Sequence, residues 1–208
     1  MTAHIGKIPQ VSARHRDVVR DLVNRLPRNA ESSGKKDWTL AVKRTMHELC
    51  LQYLGSCADE FWGTHGDCPH GLHHEWLLDV AWYVRGKSED EPEGILLALE
   101  SEWANDIGAV LFDFSKILSM KAPIKLLLFE NGKNGRGTDS DQIEQLNLLC
   151  RRWQQHSRGD ALYAINFHDG EHETYFGEAV QDGVIPDFAF RLLPELTGRD
   201  SSRAEESL

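Results

Sequence analysis

The chain has 208 residues, 40% of them hydrophobic, with six Trp and eight Phe, which suits one well-packed core and argues against a disordered chain. A formal net charge of -10 weighs against a polyanionic partner unless basic side chains are locally gathered. No apolar run reaches the roughly 18 residues needed to cross a bilayer and the polar start MTAHIGKIPQ is unlike a signal peptide, so no membrane association and a cytoplasmic location are expected.

Residues 1–37 read as an N-terminal arm, with VSARHRDVVRDLVNRLP as a short amphipathic helix and RNAESSGKK as a connector. Residues 38–197 read as a single α/β domain. Its first firm element is the helix WTLAVKRTMHELCLQYL, capped by Asp37 and stopped by Gly55, with Leu40, Val42, Met46, Leu49, Cys50 and Tyr53 at helical spacing. After a Gly/His-rich loop come two apolar runs, EWLLDVAWYV and ILLALESEW, joined by the charged turn RGKSEDEPEG. Their continuous apolar character predicts neighbouring antiparallel strands buried on both faces.

NDIGAVLFDFSKILSMKAP predicts a helix that starts at Asn105 or Asp106 and ends before Pro123. IKLLLFE is a further buried strand, TDSDQIEQLNLLCRRWQQHS an amphipathic helix and ALYAINF another strand. Asp169-Gly170 signals a hairpin returning through ETYFGEAV, and residues 198–208 read as a solvated tail. Strands alternating with helices indicate a layered α/β fold.

The stretch LLALESEWAND ends an apolar strand in carboxylates. Period-two alternation turns Glu100 and Glu102 to one face and Ser101 and Trp103 to the other. Like charges gathered inside a protein need a compensating cation, proton or donor. A hairpin across the charged turn would bring Asp79 beside Glu100, and three such acids make the all-oxygen set that a hard ion prefers. The ordinary reading is that these acids face solvent and pair with Lys or Arg.

Asp79, twenty intervening residues, then Glu100-Ser101-Glu102 with a helix and a strand after it resemble the core of the PD-(D/E)xK nuclease superfamily over roughly residues 38–168. The resemblance implies a restriction endonuclease-like fold, a mixed sheet flanked by helices with an αβββαβ core. It also implies Mg²⁺, or Mn²⁺, held by Asp79, Glu100 and Glu102, and metal-assisted hydrolysis of phosphodiester bonds in nucleic acid. Leu78 stands where the family has proline, and Glu102 where it has lysine. Some restriction enzymes of the superfamily carry an E-x-E version, and in other members the lysine moves to the following helix, where Lys116 of DFSKIL lies. Lys116 would then be catalytic with the three acids, although Asp113 three residues earlier also invites a plain helix-surface ion pair. Glu48 of the first long helix is a further candidate acid. Homodimerisation, as in restriction enzymes, is a further implication.

The competing signals are weaker. Cys68, His70, His73 and His74, with Cys57 upstream, could be drawn as a zinc site but lack paired ligand spacing. Cys50, Cys57, Cys68 and Cys150 otherwise read as free thiols. His168, Asp169 and His172 read as turn chemistry. ENGKNGRGTDSD lacks a phosphate-loop pattern, and its Asp139 and Asp141 would repel phosphate, although Lys133 and Arg136 could touch a nucleic-acid backbone. Two functions therefore compete: a metal-dependent nuclease, and a nuclease-like fold without chemistry that engages a protein partner.

Overall fold

The computed structural model describes residues 14–31, 38–54, 61–63, 78–85, 92–103, 106–130, 139–168 and 171–198. Helices α1 (His15–Glu31) and α2 (Trp38–Leu54) come first, followed by strands β1 (Phe61–Gly63), β2 (Val80–Arg85) and β3 (Pro92–Glu102). Helix α3 (Ile107–Ser119), β4 (Ile124–Glu130), α4 (Asp139–Arg152) and β5 (Ala161–His168) alternate next. β6 (Glu171–Glu178), β7 (Arg191–Leu192) and a 3-10 turn (Pro194–Leu196) complete the described chain.

The strands form a seven-stranded sheet in sequence order. β1, β2 and β3 make an antiparallel meander, β3, β4 and β5 run parallel, and β6 and β7 return antiparallel. The parallel steps require crossovers, which α3 and α4 supply. β2 and β3 are the expected antiparallel neighbours, registered through Val80↔Leu99 and Ala81↔Ala98.

Alternation along the strands divides the interior in two. Leu97, Leu99, Ile124, Leu126, Leu128, Tyr163 and Ile165 pack under α1 and α2. Ala98, Leu127, Phe129, Leu162 and Ala164 pack under α3 and α4. Helices thus cover both faces of a mixed sheet, which explains why the central strands read as unbroken apolar runs.

The N-terminal helix belongs to this interior. Val18, Val19, Leu22, Val23 and Leu26 form one stripe of α1, each 2% exposed or less, in the same cluster as the sheet. Asp21 of α1 accepts from Tyr53 Oη and Gln52 Nε2 of α2, both at 2.9 Å. The segment 1–37, read from sequence as an arm, therefore contributes a covering helix. Helix α3 begins as expected, with Asp106 Oδ1 accepting from Gly108 N at 2.9 Å.

Beyond β6 lies a wrap that sequence patterning does not reveal. Asn147 Oδ1 of α4 accepts from Phe190 N at 2.8 Å, and Arg151 Nε donates to Phe188 O at 2.9 Å. Gly177 lets the Phe188 ring lie against the sheet, where a Cβ would stand 2.3 Å from Phe188 Cζ. His172, expected in turn chemistry, lies in β6 instead, buried, with Nε2 at 3.1 Å from Leu196 O. Among the described residues no helix is long and apolar enough to cross a membrane.

Candidate functional site at the end of the central strands

The site forms where β3 ends. Leu96, Leu97, Ala98 and Leu99 drive the strand through the interior, and the next residue, Glu100, is still 3% exposed. Ala98 packs under α3, so alternation directs Glu100 to the same face. Helix α3 returns over that face and brings Lys116 Nζ to 2.7 Å from Glu100 Oε1 and 2.8 Å from Asp113 Oδ1. Lys116 thus meets Asp113, the helix-surface acid weighed from the sequence, and in addition Glu100, a pairing the sequence reading did not make.

Asp79 approaches from the neighbouring strand end. Continuing the β2–β3 register one step past Val80↔Leu99 would set Asp79 opposite Glu100. The chain bends at Leu78 and Asp79 instead, and Leu78 packs under α3 and α4 although alternation from Val80 would send it to the opposite face. The bend reverses the parity. Asp79 Oδ2 accepts from Ser101 N at 2.9 Å and from Ser101 Oγ at 2.6 Å, while Oδ1 lies 3.9 Å from Lys43 Nζ of α2.

The expected three-acid constellation is consequently looser than alternation suggests. Asp79 is held by Ser101 and faces Lys43, Glu100 is held against Lys116, and Glu102 is partly buried at the last position of β3. Among the described residues no group of three or more His, Cys, Asp or Glu is drawn close enough to hold a metal ion. Glu48 is exposed on α2.

The electrostatics are those of an unfinished charge balance. Burial pushes the Glu100 carboxyl up to about 7; Lys116 pulls it back, and the Asp79 and Asp113 charges add to the rise. Burial disfavours the Lys116 ammonium, but Asp113 and Glu100 outweigh it and hold its pKa above the ordinary value. Glu100 Oε1 touches the ammonium yet accepts no aligned hydrogen bond. These carboxylate oxygens are of the donor type a hard divalent cation takes, but Asp79 turns to the α2 face beside Lys43 and Glu100 to the α3 face beside Lys116, and among the described residues no group of three forms to hold one.

Lys43, Ser101 and Asp113 join the site without having been singled out as its members. Lys43 carried a readable signal: it stands three residues before Met46 and seven before Cys50, on the buried stripe of α2, and is itself 8% exposed. A lysine at such a position needs an acid. Ser101 carried none, because alternation aims it away from Glu100. The zinc candidates Cys57, Cys68, His70, His73 and His74, and the loop cations Lys133 and Arg136, lie outside the described residues.

Comparison of the chain with family models, with curated proteins and with solved structures finds no match.

Proposed function

We propose that the chain is a Mg²⁺- or Mn²⁺-dependent nuclease, hydrolysing phosphodiester bonds on a restriction endonuclease-like scaffold. The observation that carries this reading is the buried Glu100 carboxylate at the end of β3, with Lys116 of α3 at 2.7 Å and Asp79 at the adjoining strand end. The order of α2, the β1–β3 meander, α3 and a parallel β4 beside β3 supports the finer fold reading, because it is the αβββαβ order that the resemblance implies. The ends of parallel strands are also where open α/β sheets place their ligands.

Asp79, Glu100 and Glu102 would have to turn toward one another to hold the ion, and Lys116 would present positive charge to the phosphoryl oxygens as negative charge builds on them. A divalent ion in that seat supplies Lewis-acid polarisation and a more acidic water. Burial of Glu100 under α3 keeps competing water away from its inner oxygen and strengthens each of these interactions.

A second reading, a nuclease-like protein-interaction module without chemistry, is favoured by one observation. Lys116 and Lys43 already balance the two innermost acids. Strand scission decides between them. Single- and double-stranded DNA and RNA incubated with Mg²⁺ or Mn²⁺ should be cut by the wild type and spared by the Asp79→Ala, Glu100→Ala double variant. Intact substrates under all these conditions would leave the interaction module as the better account.

A further inference from the structure

We propose that His15 and Tyr163 form an acid-sensitive latch, which holds helix α1 on the sheet while the His15 imidazole is neutral and loosens it when the ring takes up a proton. The inference does not depend on the nuclease reading. Tyr163 of β5 is fully buried, and its hydroxyl meets Nδ1 of His15, the first residue of α1, at 2.5 Å. The His15 ring also stacks on Phe176 of β6, with centroids 5.9 Å apart and planes 19° apart. The helix is thus fastened at its start by one polar contact, ahead of the apolar stripe that runs from Val18 to Leu26.

Proton placement gives that contact a direction. A phenol carries one hydrogen, and burial pushes the Tyr163 pKa up, so the hydroxyl keeps it. The other group that bears on this hydroxyl is the Arg16 guanidinium, which can only donate. The hydroxyl hydrogen is satisfied when His15 Nδ1 accepts it, which leaves the ring's own proton on Nε2. Protonation of Nδ1 would aim a further donor at the phenol oxygen, deny the hydroxyl hydrogen an acceptor in either neighbour, and set an imidazolium beside Arg16. Burial and the Arg16 charge hold the His15 pKa below 6.5, against a smaller upward pull from Glu178 of β6. The other charges around the ring are engaged elsewhere. Arg16 lies over Phe176 and 4.0 Å from Glu195 of the 3-10 turn, Asp17 pairs with Arg14 and Arg20, and on the α2 side Arg14 lies over Tyr53. Because the folded pKa is depressed, the stabilisation is complete above pH 6.5 and is lost as pH falls below it.

The test is amide hydrogen exchange of the full chain at pH 7.5 and pH 5, corrected for intrinsic rates, in the wild type and His15→Gln. Gln keeps an acceptor for the Tyr163 hydroxyl and cannot be protonated. Acidification should raise the opening of α1 about threefold or more in the wild type relative to His15→Gln, while β4 and α4 respond alike in the two proteins. His156 and His172, also buried, are present in both and cancel from the comparison. Nitrogen NMR of the wild-type ring at pH 7.5 should find the proton on Nε2, and Tyr163→Phe should raise the His15 midpoint; both readouts stand even where His15→Gln does not fold. A neutral ring protonated on Nδ1, or a midpoint indifferent to Tyr163→Phe, overturns the latch. So does α1 opening that grows equally in the wild type and His15→Gln. Wild-type losses spread evenly over α1 and β4 overturn it as a local release.

Discussion

Two lysine–carboxylate pairs lie two residues apart in register along β3 and β4, and they are not alike. Where β4 and β5 begin, Lys125 pairs with Asp160, their side chains 2% and 9% exposed. Lys125 Nζ also donates to Ala122 O at 3.0 Å, and Asp160 Oδ2 accepts from Ser157 N at 3.3 Å. That network is closed. Where β3 ends, Lys116 is 22% exposed and serves two carboxylates, and Glu100 Oε1 lacks an aligned donor. The same two functional groups therefore make a structural tie in one pair and an unfinished charge balance in the other. A perturbed, incompletely satisfied buried group is a candidate functional position.

The comparison breaks most visibly in stability. Lys125→Met strands the buried Asp160 charge and should cost about 3–5 kcal/mol, read from urea unfolding. Lys116→Met should cost less than about 2 kcal/mol at neutral pH, because Glu100 can take up a proton instead of remaining charged. Equal losses in the two variants would erase the distinction.

Next in size is a pH effect. The Glu100 carboxyl, raised from 4.5 to about 7, binds its proton more tightly in the folded state than in the unfolded chain. Its contribution favours folding in full below pH 4.5 and is lost as pH rises through about 7. Relative to Glu100→Gln, the wild type should lose on the order of 3 kcal/mol across that window. Parallel stability curves for the two proteins would mean that Glu100 titrates as an exposed acid.

Two smaller shifts sharpen the account, both followed by carbon NMR of the Glu100 carboxyl. Lys116→Met should move its midpoint upward, since the ammonium 2.7 Å from Oε1 favours the carboxylate. Asp113→Asn should move it slightly downward, because Asp113 is the last and weakest of the influences raising it. A midpoint indifferent to Lys116 would contradict the pairing.

Much of the scaffold was legible because its signals are local. The apolar runs of β3, β4 and β5, the Asp106 cap of α3 and the antiparallel return of β6 follow from spacing within a few residues. The docking of α1 was not, since an amphipathic stripe does not name the surface it will cover. Nor was the wrap through Phe188 and Phe190, which has no periodicity and is held by Asn147 and Arg151 of α4. At the site, Glu100 and Lys116 were singled out through the resemblance, but their contact was not foreseen, because it depends on how α3 returns over β3. The orientation of Asp79 could not, because period-two reasoning assumes that the strand continues, and here it bends one residue before pairing begins. Lys43 and Ser101 became meaningful only through that bend.

The most direct measurement follows Mn²⁺ binding and DNA cleavage together in the wild type and in Glu100→Gln at pH 8, above the raised Glu100 midpoint of about 7. The account predicts saturable binding and metal-dependent strand scission in the wild type, with both abolished when Glu100 is replaced. Absence of binding in the wild type, or cleavage that survives the substitution, would contradict it.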